Sequence, residues 1–190
     1  MNESRRLTLA GRQLVGLLAF AVLAATTPVA AGAVEIIPSL GVTKSTDDNA
    51  GDAKAFGGLS LRMPLLPFLK AEGMIGYRQD SFADGDVKVR QWPVSASLWL
   101  APLPSVYAGG GVGWYRTTLD FADALPIEDS TDMNMGVHLG GGVGMPIAPK
   151  LGLDLNGRYI FMQTDNDNLQ VPTSFNPDYW SLALGLVFKL

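Results

Sequence analysis

His138 is the one histidine in a 190-residue chain that has no cysteine. A histidine held between a serine and an acid can turn the hydroxyl into a nucleophile. Ser95, Ser97, Ser181 and Asp154 are the residues that would have to meet it. A second set is Asp165-Asn166-Asp167-Asn168, which offers oxygen ligands at alternating positions. A Ca²⁺ loop of the EF-hand kind also needs a central glycine and a distal glutamate, and both are missing. A third is the block Gly-Gly-Gly-Val-Gly, present at 109–113 and again at 140–144. Such runs cradle phosphate when they open onto a helix N-terminus with a Lys-Ser/Thr behind them, and the pattern predicts no helix here. One histidine excludes a two-histidine metal motif. The lack of cysteine excludes thiolate zinc sites, disulfides and a cysteine nucleophile. A net charge of −4 argues against nucleic acid as a partner. No catalytic, cofactor-binding or metal residue is assigned on these grounds. The glycines read as strand residues, and the Asp/Asn run as a solvated loop.

What His138 can meet depends on the elements that carry it. The chain starts with a segment that is not part of a fold. Arg5, Arg6 and Arg12 make a basic start, residues 14–25 are apolar and uncharged, and Thr26-Thr27-Pro28 interrupts the run. Ala31-Gly32-Ala33 is an A-x-A cleavage pattern. The apolar run is short of the roughly 20 residues that span a bilayer. Residues 1–33 are therefore a secretory signal peptide, with cleavage expected after Ala33 or Ala31. Residues 34–190 form the domain.

Within that domain strict alternation of apolar and small or polar residues recurs in runs of about ten. Strands are expected at 34–44, 54–64, 68–80, 87–101, 106–119, 133–146, 151–163 and 179–190. The last is the clearest: Trp180, Leu182, Leu184, Leu186, Phe188 and Leu190 share one face, and Tyr179, Ser181, Ala183, Gly185, Val187 and Lys189 the other. The predicted architecture is an all-β, eight-stranded antiparallel up-and-down transmembrane β-barrel.

A soluble sheet with one buried face would alternate in the same way. The connections argue for a membrane barrel instead. Short ones, each with proline, fall near 65–67, 102–104 and 147–149. Long ones fall at about 45–53, 81–86, 120–132 and 164–178, and 14 of the 18 acidic residues lie in or beside them. Short periplasmic turns and longer outward loops are the asymmetry of an outer-membrane barrel. Tyr77, Trp92, Trp114, Tyr159, Phe161 and Trp180 lie on the apolar face near the long-loop ends, where an interfacial aromatic girdle belongs.

The opposite face carries Glu35, Ser39, Arg62, Lys70, Glu72, Arg78, Asp154, Asn156 and Arg158. Arg62 and Glu72 fall close to diagonal neighbours, and His138 roughly opposite Arg158. An eight-stranded barrel is just wide enough to be filled by its own side chains. The interior is therefore expected to be a plug of ion pairs. Gly109, Gly111, Gly113, Gly140, Gly142 and Gly144 would make room for arginine and Trp99. Pro38 and Pro93 lie inside predicted strands and remove ladder donors, so a bulge or a shortened ladder is expected at each.

Signal peptide, eight strands, outward girdle and glycine-rich hairpins resemble the small outer-membrane β-barrel proteins: the OmpA transmembrane domain, OmpX and opacity-like barrels. The C-terminus is similar to that family's assembly signal, with Gly185, Phe188 and Leu190, although the terminal residue is Leu where Phe or Tyr is usual. The resemblance implies a Gram-negative outer-membrane location and periplasmic termini. It implies outer-membrane lipids and lipopolysaccharide as partners, with the barrel-assembly machinery meeting the C-terminal strand. It carries no cofactor, and the chain is read as a monomer. No peptidoglycan-binding domain follows the barrel, so no tethering role is carried over. Barrels of the lipid A deacylase type place His and Ser as H-x-S on the lipid face, whereas His138-Leu139-Gly140 lacks that serine and points inward. The expected role is structural or surface-exposed, in integrity, adhesion or shielding. A narrow channel for small solutes, a lipid A-modifying enzyme and a soluble lipocalin-type barrel are the alternatives.

Overall fold

A computed structural model describes residues 33–46, 52–82, 87–121, 130–162 and 178–190. Residues 1–32 of the segment expected to be a signal peptide, the Asp165–Asn168 run and most of each long connection lie outside the described residues. The strands are β1 (Glu35–Ser45), β2 (Lys54–Leu66), β3 (Leu69–Phe82), β4 (Val87–Leu103), β5 (Val106–Phe121), β6 (Ser130–Ala148), β7 (Leu151–Met162) and β8 (Tyr179–Lys189). Each pairs antiparallel with the next, and β8 pairs with β1, so the sheet closes into a barrel with no free edge. All eight expected strands are present, most of them longer than the alternation alone marks.

Period-two alternation works here because successive side chains leave opposite faces of a strand. The barrel is apolar outside and charged inside. Leu40 is 75% exposed and Leu184 54%, while Arg62, Glu72 and Asp154 are at most 4% exposed. A soluble barrel would have this reversed; the arrangement fits a hydrocarbon solvent. Trp92 and Trp180 point outward, and Tyr77 packs on Trp92 with ring centroids 4.7 Å apart. Tyr159 and Phe161 pack at the same separation.

Of the two outcomes expected at Pro38 and Pro93, a bulge or a shortened ladder, the structure shows the second. Around Pro38 the β1–β8 ladder is interrupted between Ile36↔Phe188 and Ser39↔Gly185 with no change of register. Around Pro93 the β3–β4 ladder is interrupted between Ile75↔Val94 and Arg78↔Gln91, again in register. On their other sides both strands pair without a break, Pro38 with Leu59 and Pro93 with Tyr115. A missing N–H therefore opens one seam locally. The register shifts lie at the short turns, between Pro64 and Leu66, Leu100 and Leu103, and Pro146 and Ala148. An extra residue there bends and twists the strand into a tight reversal.

Candidate functional site

The inward faces of β2, β3, β5 and β7 converge on one network. Arg62 of β2 stands directly opposite Glu72 of β3, rather than diagonal to it. Its Nε donates to Glu72 Oε2 at 2.8 Å. Its Nη1 donates to Asp154 Oδ1 of β7 at 3.1 Å, and its Nη2 to the Tyr107 hydroxyl of β5 at 3.1 Å. Tyr107 in turn donates to Asp154 Oδ2 at 2.7 Å and accepts from Asn156 Nδ2 at 3.0 Å. Arg158 donates from Nε to Asn156 Oδ1 at 2.7 Å and from Nη2 to Glu72 Oε1 at 2.5 Å. Glu35 completes the lower edge, 3.5 Å from Lys70 Nζ and 4.0 Å from Arg62 Nη1.

β3 and β7 are opposite walls of an eight-strand ring, so the Glu72–Arg158 pair spans the lumen. Charges buried in this way are tolerated when each meets its opposite and the remaining lone pairs are bonded. Aromatic rings fill what the ions leave. Arg62 lies 4.4 Å from the Tyr107 ring centroid, and Arg158 5.2 Å from that of the fully buried Trp99.

Above this network, toward the long connections, the filling is aromatic. Tyr115, Ile160 and Tyr179 form a buried cluster, with the two tyrosine rings edge to face at 6.3 Å. Arg78 lies over Tyr179 at 4.0 Å. A cavity of about 30 Å³ separates ion network and aromatic cluster, lined by Ser60, Ser95, His138, Arg158, Tyr115 and Tyr179 among others. That is room for two or three waters, at the roughly 10–15 Å³ each requires by this measure. Ser95 Oγ and Arg158 Nη1 are buried beside it without a protein partner, and a water would serve them.

His138 lies opposite Ile160 and Gly111, not Arg158, which faces Gly140. The offset is two residue pairs along the ladder, one step on the same face. Its Nε2 is 2.9 Å from Ser97 Oγ. Ser95 and Ser181 line the cavity, while Asp154 is engaged by Arg62 and Tyr107. Among the described residues no hydrogen bond joins His138 to a carboxylate, so histidine and serine meet but the acid of a triad does not. The described residues contain no cluster of three or more metal-ligating acids, histidines or cysteines.

Every other inward residue read from the alternation is on the inner face. The tyrosines of β5 are what that reading missed, while Tyr179 lies on the inner face as expected. Tyr107 and Tyr115 flank the glycines of β5 on the same parity, which is a usable signal for a ring folding over glycine. Two of the six inward glycines yield space to these rings. A Cβ on Gly113 would meet the Tyr115 ring, and one on Gly142 the Tyr107 hydroxyl. At Gly140 a Cβ would meet the Gly157 carbonyl first and the Arg158 side chain next, so Gly140 serves close strand approach and makes room for Arg158 as well. At Gly109 and Gly111 the obstacle is the β4 backbone, so these permit close strand approach rather than holding space for Trp99. Gly142→Ala should therefore displace the hub of the network and cost about 1–3 kcal/mol, as overpacking does. Gly144→Ala, where the nearest atoms are 3.9 Å away, should cost nothing measurable. Urea unfolding of both variants in lipid vesicles checks the pair.

Residues 14–188 match the model of the outer membrane protein beta-barrel domain. This chain belongs to that family. Solved structures agree with the family's fold. Neisserial surface protein A is 17% identical with a TM-score of 0.66, the alignment covering 83% of this chain and 97% of that one. Ail, the attachment invasion locus protein of Yersinia pestis, is 13% identical with a TM-score of 0.57, covering 84% and 99%. The N-terminal β-barrel domain of Pseudomonas aeruginosa OprF is 12% identical with a TM-score of 0.53, covering 84% and 99%. At these identities the likeness is one of fold. A sequence comparison with curated proteins finds no match. As a member of the outer membrane protein beta-barrel domain family the chain is a protein of the outer membrane, and its apolar exterior faces lipid.

Proposed function

We propose that this barrel is a structural, surface-displaying protein of the outer membrane whose lumen conducts no solute. The observation that carries the reading is the bracing of opposite walls by Arg62, Glu72, Asp154, Tyr107 and Arg158, with the Tyr115–Tyr179 cluster above it. A hydrated pore would need these pairs parted, and buried pairs resist separation by several kcal/mol. The three described short turns then face the periplasm. The acidic long connections face outward, where adhesion or shielding would reside. Phe188 and Leu190, exposed at the end of β8, support recognition of this strand by the assembly machinery. An exterior apolar on every strand fits a monomer ringed by lipid.

The test is conductance. Purified barrel added to planar bilayers should leave a closed baseline. Resolved single-channel steps would reject the reading in favour of a narrow channel. Mass spectrometry of lipid A incubated with the barrel should show no change in acylation. A shifted acyl pattern would move the role to lipid modification.

A further inference from the structure

The three described short turns carry almost no polar side chains. Residues 64–68 are Pro-Leu-Leu-Pro-Phe, 101–105 Ala-Pro-Leu-Pro-Ser and 146–150 Pro-Ile-Ala-Pro-Lys. Glycine, asparagine and aspartate, three of the usual turn residues, are absent, and Lys150 is the one charge in the three segments. The apolar side chains are not folded inward. Phe68 is 53% exposed, Leu103 60% and Ile147 56%. Leu66, Val106 and Leu190 are exposed beside them and make this surface continuous with the lipid-facing exterior of the strands.

The backbone at this end is tied up as well. Each turn segment has two prolines, which bring no N–H to be satisfied. The Phe68 carbonyl accepts from the Ala101 amide at 2.8 Å, that of Ser105 from Gly144 at 2.8 Å, and that of Lys150 from Lys189 at 3.0 Å. Each turn is thus bonded to the next hairpin. The Leu190 amide donates to the Val34 carbonyl at 2.9 Å, which joins the two ends of the domain in the same way. Water could serve these groups in an aqueous turn, whereas lipid offers them nothing.

Height gives the third observation. The outward tryptophans and tyrosines, Tyr77, Trp92, Trp114, Tyr159 and Trp180, all lie toward the long connections, and none lies at the short turns. Trp180 and Leu190 are ten residues apart, and Tyr77 and Phe68 nine. At about 3.4 Å per residue and a tilt of about 40°, these spans are about 26 and 23 Å in height. The apolar band of an outer-membrane barrel is about 25 Å tall. With the aromatics at the outer headgroup boundary, the hydrocarbon reaches down to the turn tips.

We propose that the short turns are seated in the periplasmic leaflet, with Phe68, Leu103 and Ile147 covered by phospholipid rather than by water or a periplasmic protein. The inference rests on the membrane reading above. Lys150, at the end of its turn, has a side chain long enough to reach water from there.

Wild-type barrel in phospholipid nanodiscs tests this by NMR, with two paramagnetic probes read at backbone amides. One is a phosphatidylcholine carrying a nitroxide near the top of its acyl chain, and the other a water-soluble gadolinium chelate. The amides of Phe68, Leu103 and Ile147 should be broadened by the lipid probe. The chelate should broaden them at least fivefold less than it broadens Asp52, beside a long connection. In F68D/L103D/I147D the lipid effect at these amides should fall at least twofold. Turn amides as open to the chelate as Asp52 would overturn the proposal and leave the tips as an aqueous surface for a protein partner. Leu184, midway along β8, separates this from failure of the membrane reading. If Leu184 is shielded from the chelate and the turns are not, only the seating of the turns is wrong. If Leu184 is broadened too, the barrel does not face lipid.

Discussion

Replacing Glu72 with alanine is expected to cost the folded barrel about 3–5 kcal/mol, the range for breaking a buried ion pair from one side. Glu72 is 2% exposed and bridges two guanidiniums, accepting from Arg62 on one oxygen and from Arg158 on the other. Its removal leaves both cations in the lumen with Asp154 as the nearest remaining acceptor of Arg62. Glu72 is also part of the brace between opposite walls, so the loss is not confined to one hairpin. The companion variant is E72A/R158M. It removes the stranded cation together with its partner, keeps the Arg62–Asp154 pair, and should recover most of the loss, since apolar replacement of both members is often neutral. Urea unfolding in lipid vesicles, followed by tryptophan fluorescence and by the heat-dependent gel shift, measures both. A single variant within about 0.5 kcal/mol of wild type, the range of ordinary surface substitutions, would mean the network is not what holds the lumen closed.

The second large effect belongs to the outer surface. Leu184 lies midway along β8, 54% exposed, between Leu40 and Leu155 of the adjoining strands. Leu184→Arg should cost about 2–4 kcal/mol, the penalty for a cation at the midplane of a bilayer. Ala183 is the next residue in the chain but points into the lumen beside the cavity. Ala183→Ser places a hydroxyl among polar groups and should stay within about 0.5 kcal/mol. Equal penalties for the two would contradict the sidedness of β8.

The strands and their faces were legible because one physical fact, the alternation of side chains across a strand, is written directly in residue order. Arg62 and Glu72 could be placed near each other because a short turn joins their strands. Contacts across the lumen were another matter. That Arg158 reaches Glu72, that Tyr107 links Arg62 to Asp154, and that His138 meets Ser97 all depend on the closure and tilt of the barrel. No local pattern encodes that offset, and a shift of two pairs along a ladder separates the expected neighbour of His138, Arg158, from the observed one, Ile160. Pro38 and Pro93 were flagged for the right reason, a missing donor. The consequence was a gap and not a bulge, because neighbouring pairs on the same ladder held the register. The three real shifts lie beside turns that also carry proline, where a sharp reversal calls for the extra residue.

Seven of the eight ladders join strands adjacent in the chain, and only the β1–β8 ladder closes the ring. The hairpins can form from local encounters, whereas that closing seam must bring together segments separated by almost the whole domain, the step with the largest loop entropy. Pro38 interrupts this same seam two pairs from its short-turn end. The last ladder to zip is therefore also an interrupted one, and a barrel of this sequence should begin to unzip where its two ends meet.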